Sequence, residues 1–317
     1  MKKFLAAAAV AALALPALAK NDALSLIPNE AVTVGVVRLA ELRTSPLGSE
    51  LFKQTDEVST NGDAEKFLTE AGLKPSQDVD VIVVSTIPRS ALGTDADVLV
   101  ALDGRFNADR LTKALLSRGA VAKGGYLLLP EKNEGHQGAV AFPDGHLALV
   151  GTENAVATAL RNRAAGGTSF FTVSGLGREA ARVDPHATAW ALVDVQRTTR
   201  ITGAPHMPNR NPSAAAINGA VKNVSTVGLW ATDAGDAMKL GAFGVSGDGE
   251  TLQLVEDTVR GALSAMRLAV QDKQPELVPL LRRFSVSRSN DAVTVSGSVP
   301  ADTFRKLAAE HKEHATR

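Results

Sequence analysis

Among its 317 residues the chain has no cysteine. That single absence excludes a disulfide scaffold, a zinc–thiolate site, an iron–sulfur cluster and a cysteine nucleophile. Aromatic residues are almost as scarce, with 10 Phe, 2 Trp and 1 Tyr, so platforms for stacking sugars or bases are few. Net charge is missing too: 34 Lys and Arg oppose 34 Asp and Glu, which leaves no basic footprint for nucleic acid. What is present is a hydrophobic fraction of 44%, enough to build a core and to exclude wholesale disorder.

Long apolar runs are absent except at the start. Lys2 and Lys3 precede an apolar stretch from Phe4 to Leu15, followed by Pro16 and the small triplet Ala17, Leu18, Ala19. That is the pattern of a secretory signal peptide cut after Ala19, and the stretch is shorter than the roughly 20 residues a bilayer span requires. Cleavage removes two lysines and no acid, leaving 298 residues with a formal charge of −2. The expectation is a soluble periplasmic or secreted protein with no integral membrane segment in its mature chain.

Four pairs of segments share an apolar pattern. TVGVVRLAELRT from Thr33 resembles TAWALVDVQRTT from Thr188, and DVDVIVVSTIP from Asp78 resembles NVSTVGLWATD from Asn223. ADVLVALDG from Ala96 matches AMKLGAFGVSG from Ala237, and HLALVGTENAVATAL from His146 lies opposite AVTVSGSVPADTFRKL from Ala292. The offsets are 155, 145, 141 and 146 residues, near enough to constant to suggest a duplication. Short turns at Pro143-Asp144-Gly145 and Ser289-Asn290-Asp291 join strands that must then be antiparallel. The predicted architecture is α+β: residues 20–166 and 187–317 form two related repeats around a linker at 167–186, each a mainly antiparallel sheet with helices packed on one face. Ser45, Asn107 and Thr152 are the predicted helix N-caps, and the apolar series from Leu252 to Val270 predicts one long amphipathic helix.

Chemically suggestive patterns each have a plainer reading beside them. Gly175, Leu176, Gly177, Arg178, Glu179, Ala180 fits the G-x-G-x-x-A dinucleotide turn, with Asp194 at the end of a later strand. The helix after it has room only from about Arg178 to Val183 before Pro185, so a linker with a short helix is the better reading. His311 and His314 lie on one helix face beside Glu310, a spacing that can chelate a metal but whose more usual meaning is a frayed, solvated C-terminal helix. Ser85, Ser174 and Ser246 sit at strand ends with no nucleophile elbow around any of them. Asp78 with Asp80, and Asp95 with Asp97, flank strands at period two; this is the only support for a metal- or carboxylate-dependent exported hydrolase. Trp190 and Trp230 lie inside apolar runs and are read as core.

Cations gather around the proline-rich loop from Gly203 to Pro212, namely Arg197, Arg200, Arg210 and Lys222, with Arg43, Lys53 and Lys66 in the corresponding part of the first repeat. Brought to one end of the molecule, these would form a basic mouth for an anionic ligand or an acidic partner. Peripheral attachment through the helix from Leu252 to Val270 is disfavoured by Glu256, Asp257 and Asp272 on it.

Several structural positions also carry a resemblance. These are Ile27-Pro28 before the first strand, Leu42 to Leu47 after it, Asp78-Val79-Asp80 entering the second, Gly104-Arg105-Phe106 before one helix and Leu149 to Thr152 before another. In them the chain is similar to a group of exported bacterial proteins of unassigned function. The resemblance implies export and a duplicated α+β architecture, and carries over no catalytic residue. The expectation is a non-enzymatic binding or scaffolding protein without catalytic, cofactor or metal residues, whose partner is an envelope protein or a small apolar or anionic ligand.

Overall fold

The computed structural model describes residues 22–45, 48, 62–90, 95–130, 137–202, 219–220, 222–272 and 274–303. The signal-like segment therefore lies outside the described residues, as do Lys53, Arg210, His311 and His314. Described strands are β1 (Thr33–Arg38), β2 (Val79–Pro88), β3 (Ala96–Gly104), β4 (Val121–Lys123), β5 (Tyr126–Leu128), β6 (Gly138–Ala141), β7 (Leu147–Thr152), β8 (Ala189–Asp194), β9 (Thr226–Asp233), β10 (Ala237–Val245), β11 (Ser285–Arg288) and β12 (Ala292–Pro300). Helices are α1 (Leu39–Arg43), α2 (Gly62–Ala71), α3 (Pro75–Asp78), α4 (Ala108–Leu116), α5 (Glu153–Ala164), α6 (Phe170–Val173), α7 (Gly175–Arg178), α8 (Val195–Thr202), α9 (Gly249–Gln271) and α10 (Val278–Leu281).

All twelve strands join one antiparallel sheet in the order β11-β12-β10-β9-β8-β1-β2-β3-β7-β6-β5-β4. Its seam is the β1–β8 pair, with Val36 opposite Trp190 and Val34 opposite Leu192. Because successive side chains of a strand alternate between faces, the β2 run Val79 to Pro88 supplies two apolar surfaces. Val81 and Val83 join Val34, Leu99, Leu149 and Leu192 in one core, capped by Ala155, Val156 and Ala159 of α5 and by Phe170 and Leu176. Ile82, Leu102 and Ala148 point the other way, to a second core with Phe67, Leu111 and Ala114 from α2 and α4.

Helices therefore cover both faces of the sheet, correcting the expectation of one. The reason is in the strands: a sheet covered on one side alternates apolar with polar, whereas β2 and β3 are apolar at both parities. In the later half of the chain α9 docks by Leu252 and Val255 against Val293, Val195 and Val224, each such burial worth about 2 kcal/mol. Asp248 caps α9, accepting from the amides of Glu250 and Thr251. The predicted apolar face of α9 is buried only in its first half, since Met266 and Ala269 of that face are exposed.

Opposite the cores of α2 and α9, large rings lie on glycines of the neighbouring strand. Trp230 faces Gly241 and Phe243 faces Gly228 across β9–β10, and a Cβ at either glycine would fall about 2 Å from the ring, at 2.1 and 2.2 Å respectively. Trp190 is buried and its neighbour Phe171 meets it edge-on at 6.4 Å, which agrees with the core reading of the tryptophans. Asn107 caps α4 through Arg110 N, and Ser45 accepts from Gly48 N. Thr152 precedes α5 without a side-chain cap, because its hydroxyl is drawn instead to the buried Asp97.

Candidate functional site

The two ends of the sheet differ in how their charged groups are paired. At one end β1 begins, β2 ends, and α8 leaves β8 through Asp194, whose carboxylate accepts from Arg197 N at 2.9 Å. Val195 N donates to Ser225 O and Thr198 Oγ1 to Val32 O, which ties α8 across the seam. Its later residues reach the end of β2, and a cavity of about 360 Å³ opens there, lined by Glu30, Pro88, Arg89, Ser90, Arg197, Arg200 and Ile201.

The cations of this cavity are not equivalent. Arg89 is committed: its Nε donates to Asp97 at 2.9 Å and a terminal nitrogen to Asp95 at 2.8 Å. Arg197 reaches only the carbonyl of Glu30, at 3.2 Å. Arg200 makes no hydrogen bond or ion pair among the described residues. Arg200 is thus left with its guanidinium donors unused beside the half-used Arg197, an arrangement that can donate to one oxyanion.

Of the four cations expected at a basic mouth, the structure brings Arg197 and Arg200 together. Lys222 lies exposed in the turn before β9, near the start of α8, and does not line the cavity; Arg210 is outside the described residues. Arg43 is at the far end of the sheet, where it binds Asp80 at 2.8 Å and the carbonyls of Ser76 and Val79. The expectation that the segments after the first and eighth strands meet is thus corrected. Since β1 and β8 are antiparallel, α1 and α8 must leave the sheet at opposite ends. Arg89, Glu30 and Ser90 were missed, because only the pairing of β1 with β2 and β8 makes them neighbours of α8.

The acid pairs are also placed. Asp78 and Asp80 lie at one end and Asp95 and Asp97 at the other, so the four do not converge. Asp97 is buried, 2% exposed, and accepts from Thr152 Oγ1 and Asn154 Nδ2 at 2.7 Å each as well as from Arg89. Burial pushes its pKa up, but the donors Asn154, Thr152 and Arg89 outweigh that and hold the carboxyl below its usual range. With its lone pairs taken up by three donors, Asp97 has the surroundings of a structural anion rather than of a general base. Gly175 begins the short helix α7, and a Cβ on Gly177 would strike Phe170 O at 2.1 Å; that glycine serves packing within the linker. Ser85 is buried with its hydroxyl unpartnered, away from any histidine among the described residues. No group of three or more His, Asp or Glu able to hold a metal ion occurs among the described residues.

At the far end, Asp103 sits among acids. Its Oδ1 accepts from Ala23 N at 3.0 Å while its Oδ2 is buried without a partner. Desolvation, with Asp22, Asp80 and Asp144 nearby, raises its pKa to about 6 against the pull of the Ala23 hydrogen bond. A cavity of about 280 Å³ close by contains Asp22 and Arg163, but Arg163 is already paired with Asp144 at 2.5 Å.

No family model matches the chain, and no curated protein matches it. Among solved structures, crystal form I of TP0453, a bacterial protein, is similar with a TM-score of 0.49 and 9% identity, over 92% of this chain and 98% of that one. Crystal form IV gives 0.47 and 10% over 92% and 97%. These are weak structural similarities, and no residue role is carried over from them. No helix among the described residues is long and apolar enough to cross a membrane.

Proposed function

We propose that this chain is an exported, non-enzymatic binding protein that seats a small anionic ligand at the seam cavity. The observation that carries the reading is Arg200, a guanidinium with no partner among the described residues, beside the half-used Arg197 in a cavity of about 360 Å³, a size that suits a small-molecule site. Export rests on the basic, apolar and small-residue pattern of residues 1–19. Descent from two copies of one unit is part of the same reading. It is supported by the strand order outward from the seam, β1-β2-β3-β7-β6 on one side and β8-β9-β10-β12-β11 on the other.

The test is thermal melting of the mature chain, residues 20–317, with acetate, propionate or phosphate added at millimolar concentration. Carboxylate should raise the midpoint of the parent protein and leave Arg200→Gln unchanged. Equal melting of both proteins in every anion would sink the reading.

A further inference from the structure

The cavity opens onto an apolar track on the sheet. Pro88, in its lining, shares one parity of β2 with Thr86 and Val84, and so projects to the same face. Val98 stands opposite Thr86. From Val84 the register crosses Gly35 and Ala191 to Leu229. This is the face that α2 and α4 cover on one flank and α9 on the other, yet no described helix closes its centre. Val84 and Val98 are each 39% exposed and Leu229 52%, large values for aliphatic residues in interior strands. A Cβ added at Gly35 meets nothing within 4 Å, so no described residue lies over the track at the seam.

Resting on the anion-binding reading above, we infer that the ligand is a long-chain fatty acid, its carboxylate between Arg197 and Arg200 and its chain running diagonally over the seam from Pro88 to Leu229. Donor geometry selects the head: the unused Arg200 and the half-used Arg197 can each donate to one carboxylate. Length selects the tail. Four residues along β2 and three strand spacings from β2 to β9 place Leu229 roughly 19 Å from Pro88. At the roughly 1.2 Å per bond of an extended chain, that distance is spanned by about 16 carbons. Apolar surface exposed beside unpaired cations is costly for a protein to leave uncovered, and an amphiphile covers both at once.

The experiment uses the mature chain and hexadecanoate below its aggregation limit, with acetate as a head without a tail and decyl maltoside as a tail without a charge. Native mass spectrometry counts bound molecules, and titration calorimetry ranks affinities. One hexadecanoate per chain is expected, bound far more tightly than acetate. Arg200→Gln and Leu229→Asp should each weaken it about tenfold or more. Both sites are exposed, so the fold should survive; Leu229→Ser is the milder check if Leu229→Asp melts early. Acetate binding as tightly as hexadecanoate, with Leu229→Asp silent, would overturn the fatty-acid inference and leave the anion seat standing. Decyl maltoside binding equally, with Arg200→Gln silent, would overturn the anion seat as well. A concentration-dependent dimer abolished by Leu229→Asp, with no hexadecanoate bound, would assign the track to a second copy of the chain and also overturn the inference.

Discussion

Asp97 and Asp103 stand near opposite ends of the same strand, on the same face, and are treated oppositely by the fold. Asp97 has three side-chain donors around it and is held ionised. Asp103 has one backbone donor, one buried oxygen without a partner and three acids for neighbours. Burial acts against the charged form at both positions; the donors decide the outcome. The same contrast holds for the two ends of the sheet. One end has a cation to spare at Arg200, the other has an acid to spare at Asp103.

The sharpest way to break this comparison is Asp97→Ala. It leaves Arg89, Thr152 and Asn154 without their acceptor, and should cost about 3 kcal/mol in denaturant unfolding. A loss under 1 kcal/mol would mean that the network is ornamental. Asp103→Asn should do the reverse. Its folded pKa of about 6 lies above the unfolded value of 3.8, so the native state binds the proton more tightly. Its ionised form therefore lowers stability above about pH 6, and that penalty is relieved as the pH falls from 6 toward 4. Asparagine should accordingly stabilise the protein by about 1 kcal/mol at pH 7.5, after allowance for partial solvent screening, and by almost nothing near pH 3.5.

Asp97 gives the opposite pH signature. Its folded pKa is lowered, so its contribution is present above the unfolded value and is lost as the pH falls through the folded one. Between pH 7 and pH 3, thermal melts of Asp97→Asn should approach those of the parent protein from below. The smallest effect is expected at Arg200→Gln, within about 0.5 kcal/mol in the absence of ligand, since no partner is lost. A larger loss would show that Arg200 serves the fold rather than a ligand.

Much of this architecture was legible in the chain. Turn residues at Pro143-Asp144-Gly145 announced the β6–β7 pair, Asn107 the start of α4, and the three-and-four spacing from Leu252 the helix α9. Thr152 shows why such reading stops where it does. Its place before Glu153 is that of an N-cap, but a buried carboxylate 55 residues earlier in sequence competes for its hydroxyl and wins. Local pattern carries no information about such a competitor.

The candidate site was half legible for a related reason. Arg197 and Arg200 could be picked out as unbalanced charge on a short helix, whereas Arg89, Glu30 and the exposed Val84 and Leu229 look like ordinary strand and loop residues. Composition and periodicity by themselves determined the α+β class, the antiparallel turns and the absence of thiol chemistry, because these depend on residue type and on contacts a few positions apart. Only the tertiary structure decided that the two halves share one sheet, that helices cover both of its faces, and that α1 and α8 leave at opposite ends. Those outcomes follow from the antiparallel pairing of β1 with β8, a register between segments about 155 residues apart, which long-range packing sets and no local signal encodes.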